Sequence, residues 1–543
     1  MIILLLASAA ALALSPEEGH DHAPKLGTLT FESSCSPQAH EHFEHGLGWL
    51  HSFEYAEAER SFARAAGADP GCGIAHWGAA MSYYHPLWAP PTAEELEKGR
   101  AAIEKARAAG AKSKREQAYI DAIAAFYRDS ERLDHRTRTL AYSSAMERLH
   151  EYYPDDREAA VFYALSLIAV GTMDTDPDFN NEKQAAALLN GVLAVNADHP
   201  GVAHYLIHSF DYPPLAHLAV PAARRYASIA PDSAHAQHMP SHIFTRLGLW
   251  DDAIKSNLKS EAAAIAYAKA KGLQGSWDER LHAMDYLAYA YLQTGQDREA
   301  RRVLAELNAI QRVDPANFKV AFSATAIPAR FLLERRQWRE AASLELPDNV
   351  TGLVPLADHP WAQAHIHFAR AVGAARSGNP AGAREEVARL GAIERTMSLP
   401  LGTYDWKTQV SIQRQIAEGW LAHAEGRNDD AVGVMRAAAD LDDATEKHPV
   451  TPGAVLPARE QLGELLLEIG KPAEALNEFE ASLKRAPRRL GGIYGAARAA
   501  KLAGDAPRSS RYFAELVEVT NSSEGERAEI REARSAVQGL ARR

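Results

Sequence analysis

Cysteine is almost missing from this 543-residue chain: only Cys35 and Cys72 occur, which excludes a disulfide-dense fold and any Cys-rich metal finger. Positive charge is in deficit. A net charge of −12 and a pI near 6.0, with no Lys/Arg stripe, exclude a phosphate-tracking surface, so nucleic acid is not an expected partner. Aromatics at 8% and charged residues at 24% are an ordinary soluble mix, and no segment sustains strand-like alternation. No GxSxG elbow, phosphate-cradling loop, HExxH helix or dinucleotide fingerprint occurs, so no catalytic residue is assigned on motif grounds.

Long apolar runs are also lacking. Ile2 to Leu14 is too short to cross a bilayer and ends in small residues and a polar switch, the pattern of a signal peptide over residues 1–15. No Lys or Arg precedes it, a departure from the usual pattern. No lipid-anchor cysteine follows, and no later run is long enough for a membrane span. The expectation is an exported protein, periplasmic or extracellular, with a flexible segment over 16–38 that includes GHDH (Gly19 to His22). In an oxidising compartment, two cysteines at one end of the fold imply a Cys35–Cys72 disulfide.

What the chain does have is an internal period. Ala58, Phe62, Ala65 and Pro70, after Tyr55, match in spacing Ala475, Phe479, Ser482 and Pro487, after Gly470 near the end. In both, Ala-x3-Phe is followed by Pro twelve residues after the Ala, and Ala219 and Pro231 keep that spacing. Related turn signatures lie at LGLWDDA (Leu247 to Ala253) and TGQDREA (Thr294 to Ala300), and weaker ones at SGNPAGA (Ser377 to Ala383), EGRNDDA (Glu425 to Ala431) and AGDAPRS (Ala503 to Ser509). Apolar residues at helical spacing alternate with short Gly/Pro/Asp breaks.

These motifs resemble the tetratricopeptide repeat, a helix pair every 34 residues. HPGVAHYLIH, HMPSHIF and LGGIYGAARAAKLAGD (Leu490 to Asp505) further resemble an exported bacterial family of such repeat proteins, one without an established activity. The resemblance implies an all-α superhelix, an α-solenoid, whose first helices line a concave groove. Long breaks at Gly171 to Lys183, Glu345 to Trp361 and Lys447 to Pro457 divide it into an N-terminal block (39–170), a central histidine-rich block (171–343) and a C-terminal block (344–543).

The central block carries the candidate chemistry. His204 and His208 lie four apart, as do His238 and His242, and the second pair follows the first by 34 residues, one repeat. Residues four apart share a helix face. Repeat register places both pairs at the same two first-helix positions, with His235, His282, Asp285 and Tyr289 at related positions of these or the next unit. As the resemblance implies, those positions face the groove. His204, His208, His238, His242 and Asp285 then form a candidate metal set, and neutral imidazole with carboxylate suits Zn, Cu, Ni or Fe. Histidines can equally cap carbonyls or line a polar groove without an ion. His42, His51, His76 and His85 form a second possible set at the N-terminal end, for which packing is the favoured account, since His51 and His85 precede turns where histidines bond backbone groups. Asp174, Asp176 and Asp178 do not make a calcium loop, because Phe179 stands where a glycine is required.

The leading reading is an exported repeat protein that binds a peptide, a protein or a small anion in its groove. The rivals are a metal-binding protein or metalloenzyme built on the histidines, and an envelope scaffold.

Overall fold

A computed structural model describes residues 24–173, 176–398 and 404–541. The signal segment 1–15, GHDH and Asp174 lie outside the described residues. Helices follow one another through short turns and pack in sequence-adjacent pairs, from Pro37–His51 with Tyr55–Ala68 to Leu490–Leu502 with Ala506–Val519. Among the described residues, sheet is confined to the pairing of Ser276–Trp277 with Val313–Asp314. The fold is an all-α helical repeat. No described helix is long and apolar enough to cross a membrane.

The Ala-x3-Phe motif has a direct packing role. Phe62 is fully buried and its ring fits between Gly46 and Gly78, where a Cβ would come within 2.6 and 2.4 Å of it. Phe479 repeats this between Gly463 and Gly495, at 2.8 and 2.2 Å. Each large ring therefore uses the space of two absent side chains to bring three helices together.

The stack returns on itself. Gly248 and Gly295 take φ of +66° and +67° in turns between paired helices. A Cβ there would also meet Pro487 at 2.5 Å and Ile530 at 2.4 Å, so both turns seat the C-terminal units. Arg489, fully buried, bonds Glu334 and Glu460 at 2.6 Å and donates to the Tyr289 hydroxyl at 2.6 Å. Segment 446–453 meets residues far earlier in the chain. Lys447 reaches Asp211 (2.9 Å), Glu446 reaches Arg246 (3.1 Å), and Gly453 accepts from Arg330 (3.2 Å).

Cys35 and Cys72 are joined, with Cα atoms 4.9 Å apart. The described part of segment 16–38 is packed rather than loose. Phe31 is fully buried against Phe43, Trp77 and Tyr119, and Thr28 donates its N–H to Asp198.

Candidate metal centre

Four short elements carry six buried histidines. His204 and His208 stand on Pro200–Phe210, His235 and His238 on Ala234–His238, His242 on Pro240–Arg246, and His282 on Asp278–Gln293. The first helix begins with His199 as its N-cap and Pro200 at its first position, where a missing N–H costs nothing. Gly201 lets it approach His51, whose Nδ1 would lie 2.5 Å from an added Cβ. Ser233 caps the second through Ala236 N–H and donates its hydroxyl to Glu54. Pro240 interrupts the hydrogen-bond ladder of that helix, yet His238 and His242 stay on one face.

The histidines form two triads, His204/His208/His235 and His238/His242/His282. In the first, the His204 Nε2 atom lies 3.0 Å from that of His208 and 3.2 Å from that of His235. In the second, His238 and His242 approach through Nε2 at 3.0 Å, and the His282 ring lies 4.0 Å from that of His238. The triads adjoin: ring centroids are 6.2 Å apart for His208 and His242, and 6.3 Å for His235 and His238. Ligand atoms on a tetrahedral ion with metal–nitrogen bonds near 2.0–2.1 Å are separated by about 3.4 Å. The observed nitrogen spacings are close to that edge.

Hydrogen positions decide what these contacts are. His238 Nδ1 donates to Asn257 Oδ1 at 2.7 Å, and the amide is oriented by its own donation to the Ala253 carbonyl. His242 Nδ1 donates to Asp211 Oδ2 at 3.1 Å. Asp211 is ionised: although burial opposes this, Lys447 and Arg246 hold its carboxyl well below the usual range. A neutral imidazole has one N–H. Both Nε2 atoms therefore present lone pairs toward each other, 3.0 Å apart, with the Tyr286 hydroxyl 3.4 Å from His242 Nε2 as a weak donor at the side. A shared proton would relieve this, but burial lowers His242 to about 4 and His238 well below its ordinary value. In the first triad His204 Nδ1 donates to the His51 carbonyl at 2.6 Å, so its single Nε2 lone pair faces two neighbouring nitrogens. Burial and the neighbouring histidines hold His204, too, well below its ordinary value.

A third cluster gives the contrast. Glu158 accepts from His51 Nε2 and His199 Nε2, both at 2.9 Å. His51 Nδ1 accepts from the Tyr205 hydroxyl (3.0 Å), and His199 Nδ1 accepts from Val202 N–H. Every proton there has an acceptor, so the cluster is complete without an ion.

Two residues grouped with the histidines from the sequence lie elsewhere in the bonding. Asp285 accepts from Arg330 Nη1 at 2.6 Å, and Tyr289 bonds Arg489. Both support the junction of central and C-terminal blocks, because helix register fixes a face but not the partner opposite. His235 and His282 instead complete the triads. Sequence reasoning missed Asn257, Asp211, Glu279 and the His51 carbonyl. Glu279 Oε2, buried and without a hydrogen-bond partner, lies 3.9 Å from His235 Nδ1. Burial and the neighbouring Glu279 push the Glu54 carboxyl up from its ordinary range. Three nitrogens per triad leave a fourth position open on any tetrahedral ion, where an exogenous ligand could bind.

No protein-family model matches the chain, and comparison with curated proteins finds no match. Solved structures give distant helical-repeat similarities. A human IFIT1 dimer with m7Gppp-AAAA is 12% identical with TM-score 0.36, covering 82% of this chain and 90% of that one. The P58(IPK) TPR domain is 15% identical with TM-score 0.22, over 71% and 98%. Naa15/Naa10 bound to HypK-THB is 11% identical with TM-score 0.24, over 93% and 73%. At these scores the similarities carry no argument about function.

Proposed function

We propose that this chain is an exported metalloprotein that holds two transition-metal ions side by side, one on each histidine triad. The observation that carries this is the opposition of the His238 and His242 Nε2 lone pairs at 3.0 Å, which a cation bound between them relieves. An all-nitrogen set of neutral ligands suits copper or zinc and not magnesium or calcium.

Copper is the better match. The nearest carboxylates are already neutralised, Asp211 by Arg246 and Lys447, and Glu279 by Lys319 at 2.5 Å. Ions placed here bring charge that the buried surroundings do not offset, and monovalent copper brings the least. A copper pair with open positions supports redox chemistry on a small ligand. The joined Cys35 and Cys72 support export, since disulfides persist in oxidising compartments. Lys447, the one lysine of segment 446–453, is already paired with Asp211 and is not free to hold an anion.

Elemental analysis of protein purified from an exporting host tests the reading. Two copper ions per chain are expected. Zinc at that stoichiometry would overturn the choice of ion, and metal-free protein that takes up neither ion would overturn the centre.

A further inference from the structure

The two triads differ in what stands behind them. In each, one imidazole turns Nδ1 to a neutral acceptor, His204 to the His51 carbonyl at 2.6 Å and His238 to Asn257 at 2.7 Å. In each, a second imidazole turns Nδ1 toward a carboxylate, His242 to Asp211 and His235 to Glu279. These carboxylates are not equivalent. Both oxygens of Asp211 are taken: Oδ1 accepts from Arg246 Nε at 2.8 Å, and Oδ2 from Lys447 at 2.9 Å and His242 at 3.1 Å. Two cations therefore hold the carboxylate behind the second triad, although Arg246 also meets Glu446 at 3.1 Å. Behind the first triad the balance is reversed. Lys319 reaches Glu279 at Oε1 (2.5 Å) and divides itself with Asp278 (2.5 Å). Glu279 Oε2 has no hydrogen-bond partner, although the residue is only 7% exposed, and it lies 3.9 Å from His235 Nδ1. Glu279 shares a helix with His282 of the second triad, but the imidazole that its unpartnered oxygen approaches is His235.

A buried carboxylate oxygen without a partner is unfavourable unless positive charge or a donor arrives beside it. Resting on the metal reading above, we infer that the two sites select different charges: the first triad accepts a doubly charged ion, and the second is restricted to a singly charged one. An ion on His235 Nε2 leaves the single N–H of that ring at Nδ1, makes it a stronger donor and draws it to Glu279 Oε2. The extra charge of a divalent ion then meets a carboxylate with an oxygen to spare. On the second triad the same ion meets a carboxylate already held by Lys447 and Arg246, so its extra charge is unmatched in a buried site. A singly charged ion brings less charge to match and fits both triads.

The test is titration of the metal-free full chain with Zn(II), a redox-inert divalent probe, and with Cu(I) under anaerobic conditions, each in competition with a chelator. The wild type should take up two Cu(I) but one tight Zn(II), with any second Zn(II) weaker by about tenfold or more. His208→Ala should lose the tight Zn(II), and His242→Ala should keep it. Glu279→Gln preserves size and removes the charge; it should weaken the tight Zn(II) by about 10- to 100-fold and still bind two Cu(I). Lys447→Met should strengthen the second Zn(II) by about tenfold, because Asp211 regains capacity. Glu279→Gln carries the test if the lysine variant does not fold. Two equal Zn(II) equivalents in the wild type overturn the charge assignment and leave the metal reading standing. So does loss of the tight Zn(II) in His242→Ala but not His208→Ala, or equal weakening of both ions by Glu279→Gln. Uptake of neither ion by the wild type overturns both.

Discussion

His238 and His242 face each other through Nε2 at 3.0 Å, and the Nδ1 proton of each is committed to an acceptor, Asn257 or Asp211. Imidazoles that merely pack would alternate donor and acceptor, as His51 and His199 do around Glu158. Removing one ring from each triad should therefore remove ions one at a time. His208→Ala and His242→Ala are each expected to retain one of two ions, and the double variant neither. Elemental analysis with thermal melts reads this out; a double variant with full metal content would show that the triads are not the ligands.

The Glu158 cluster should behave in the opposite way. Glu158→Gln puts an amide group against two N–H donors in a site that is 1% exposed. A loss of about 2–4 kcal/mol of stability is expected, with metal content unchanged, because a buried donor loses its acceptor. Denaturant unfolding of the metal-free protein measures the first and elemental analysis the second. Loss of metal without loss of stability would reverse the roles given to the clusters.

The 34-residue offset made two of the triad pairs visible in sequence, because repeat ancestry preserves orientation from unit to unit. Ala58/Phe62 and Ala475/Phe479 likewise announced the packing, since only small residues can receive those rings. What the sequence did not disclose came from contacts across turns of the stack. Nothing near Asp285 marks Arg330, 45 residues on, as its partner, so the carboxylate was grouped with the imidazoles beside it. The break at Lys447 to Pro457 is visible as Pro and Gly, but its passage through the interior depends on Asp211 and Arg246 some 200 or more residues earlier. Nothing in the sequence near Glu158 marks His51, 107 residues earlier, as its partner.

Stability should fall with acid in a definite window. His365 and His448 are each lowered to about 3 by burial, whereas in the unfolded chain they titrate near 6.5. Between those values the unfolded state binds more protons, so unfolding free energy rises with pH and is lost as pH drops below about 6.5. Each such histidine contributes a slope of up to about 1.4 kcal/mol per pH unit. Urea melts from pH 7.5 to 4.5 check this, and His365→Gln should flatten the slope. A profile that is flat across the window would mean these rings are charged in the fold.

The disulfide closes a loop with a sequence separation of 37 beside the helix pair Pro37–His51 and Tyr55–Ala68. On the chain-entropy account its removal in Cys35→Ser/Cys72→Ser should cost about 3–4 kcal/mol. Intact mass before and after reduction, with guanidinium unfolding of both forms, measures it. Two alkylatable thiols in native protein from an oxidising compartment would contradict the bridge.

The role of Asn257 separates a metal centre from a packed cluster most cleanly, because the residue touches no proposed ion. Its Oδ1 fixes the His238 tautomer and aims Nε2 at the second triad, while its own amide is held by Ala253. Asn257→Leu removes the acceptor, frees His238 to turn or to protonate Nε2, and should weaken binding at the second triad 10- to 100-fold. Asn257→Asp keeps an acceptor and makes it stronger, so affinity should be held or increased. If the histidines were structural, the order would invert for stability: the leucine would be tolerated and the buried aspartate would be costly. Competitive metal titration of both variants, with apo-protein melts beside it, distinguishes the two orders. Matching affinities for wild type, leucine and aspartate forms would remove Asn257 from the centre, and with it the argument that the His238 lone pair is held ready for a cation.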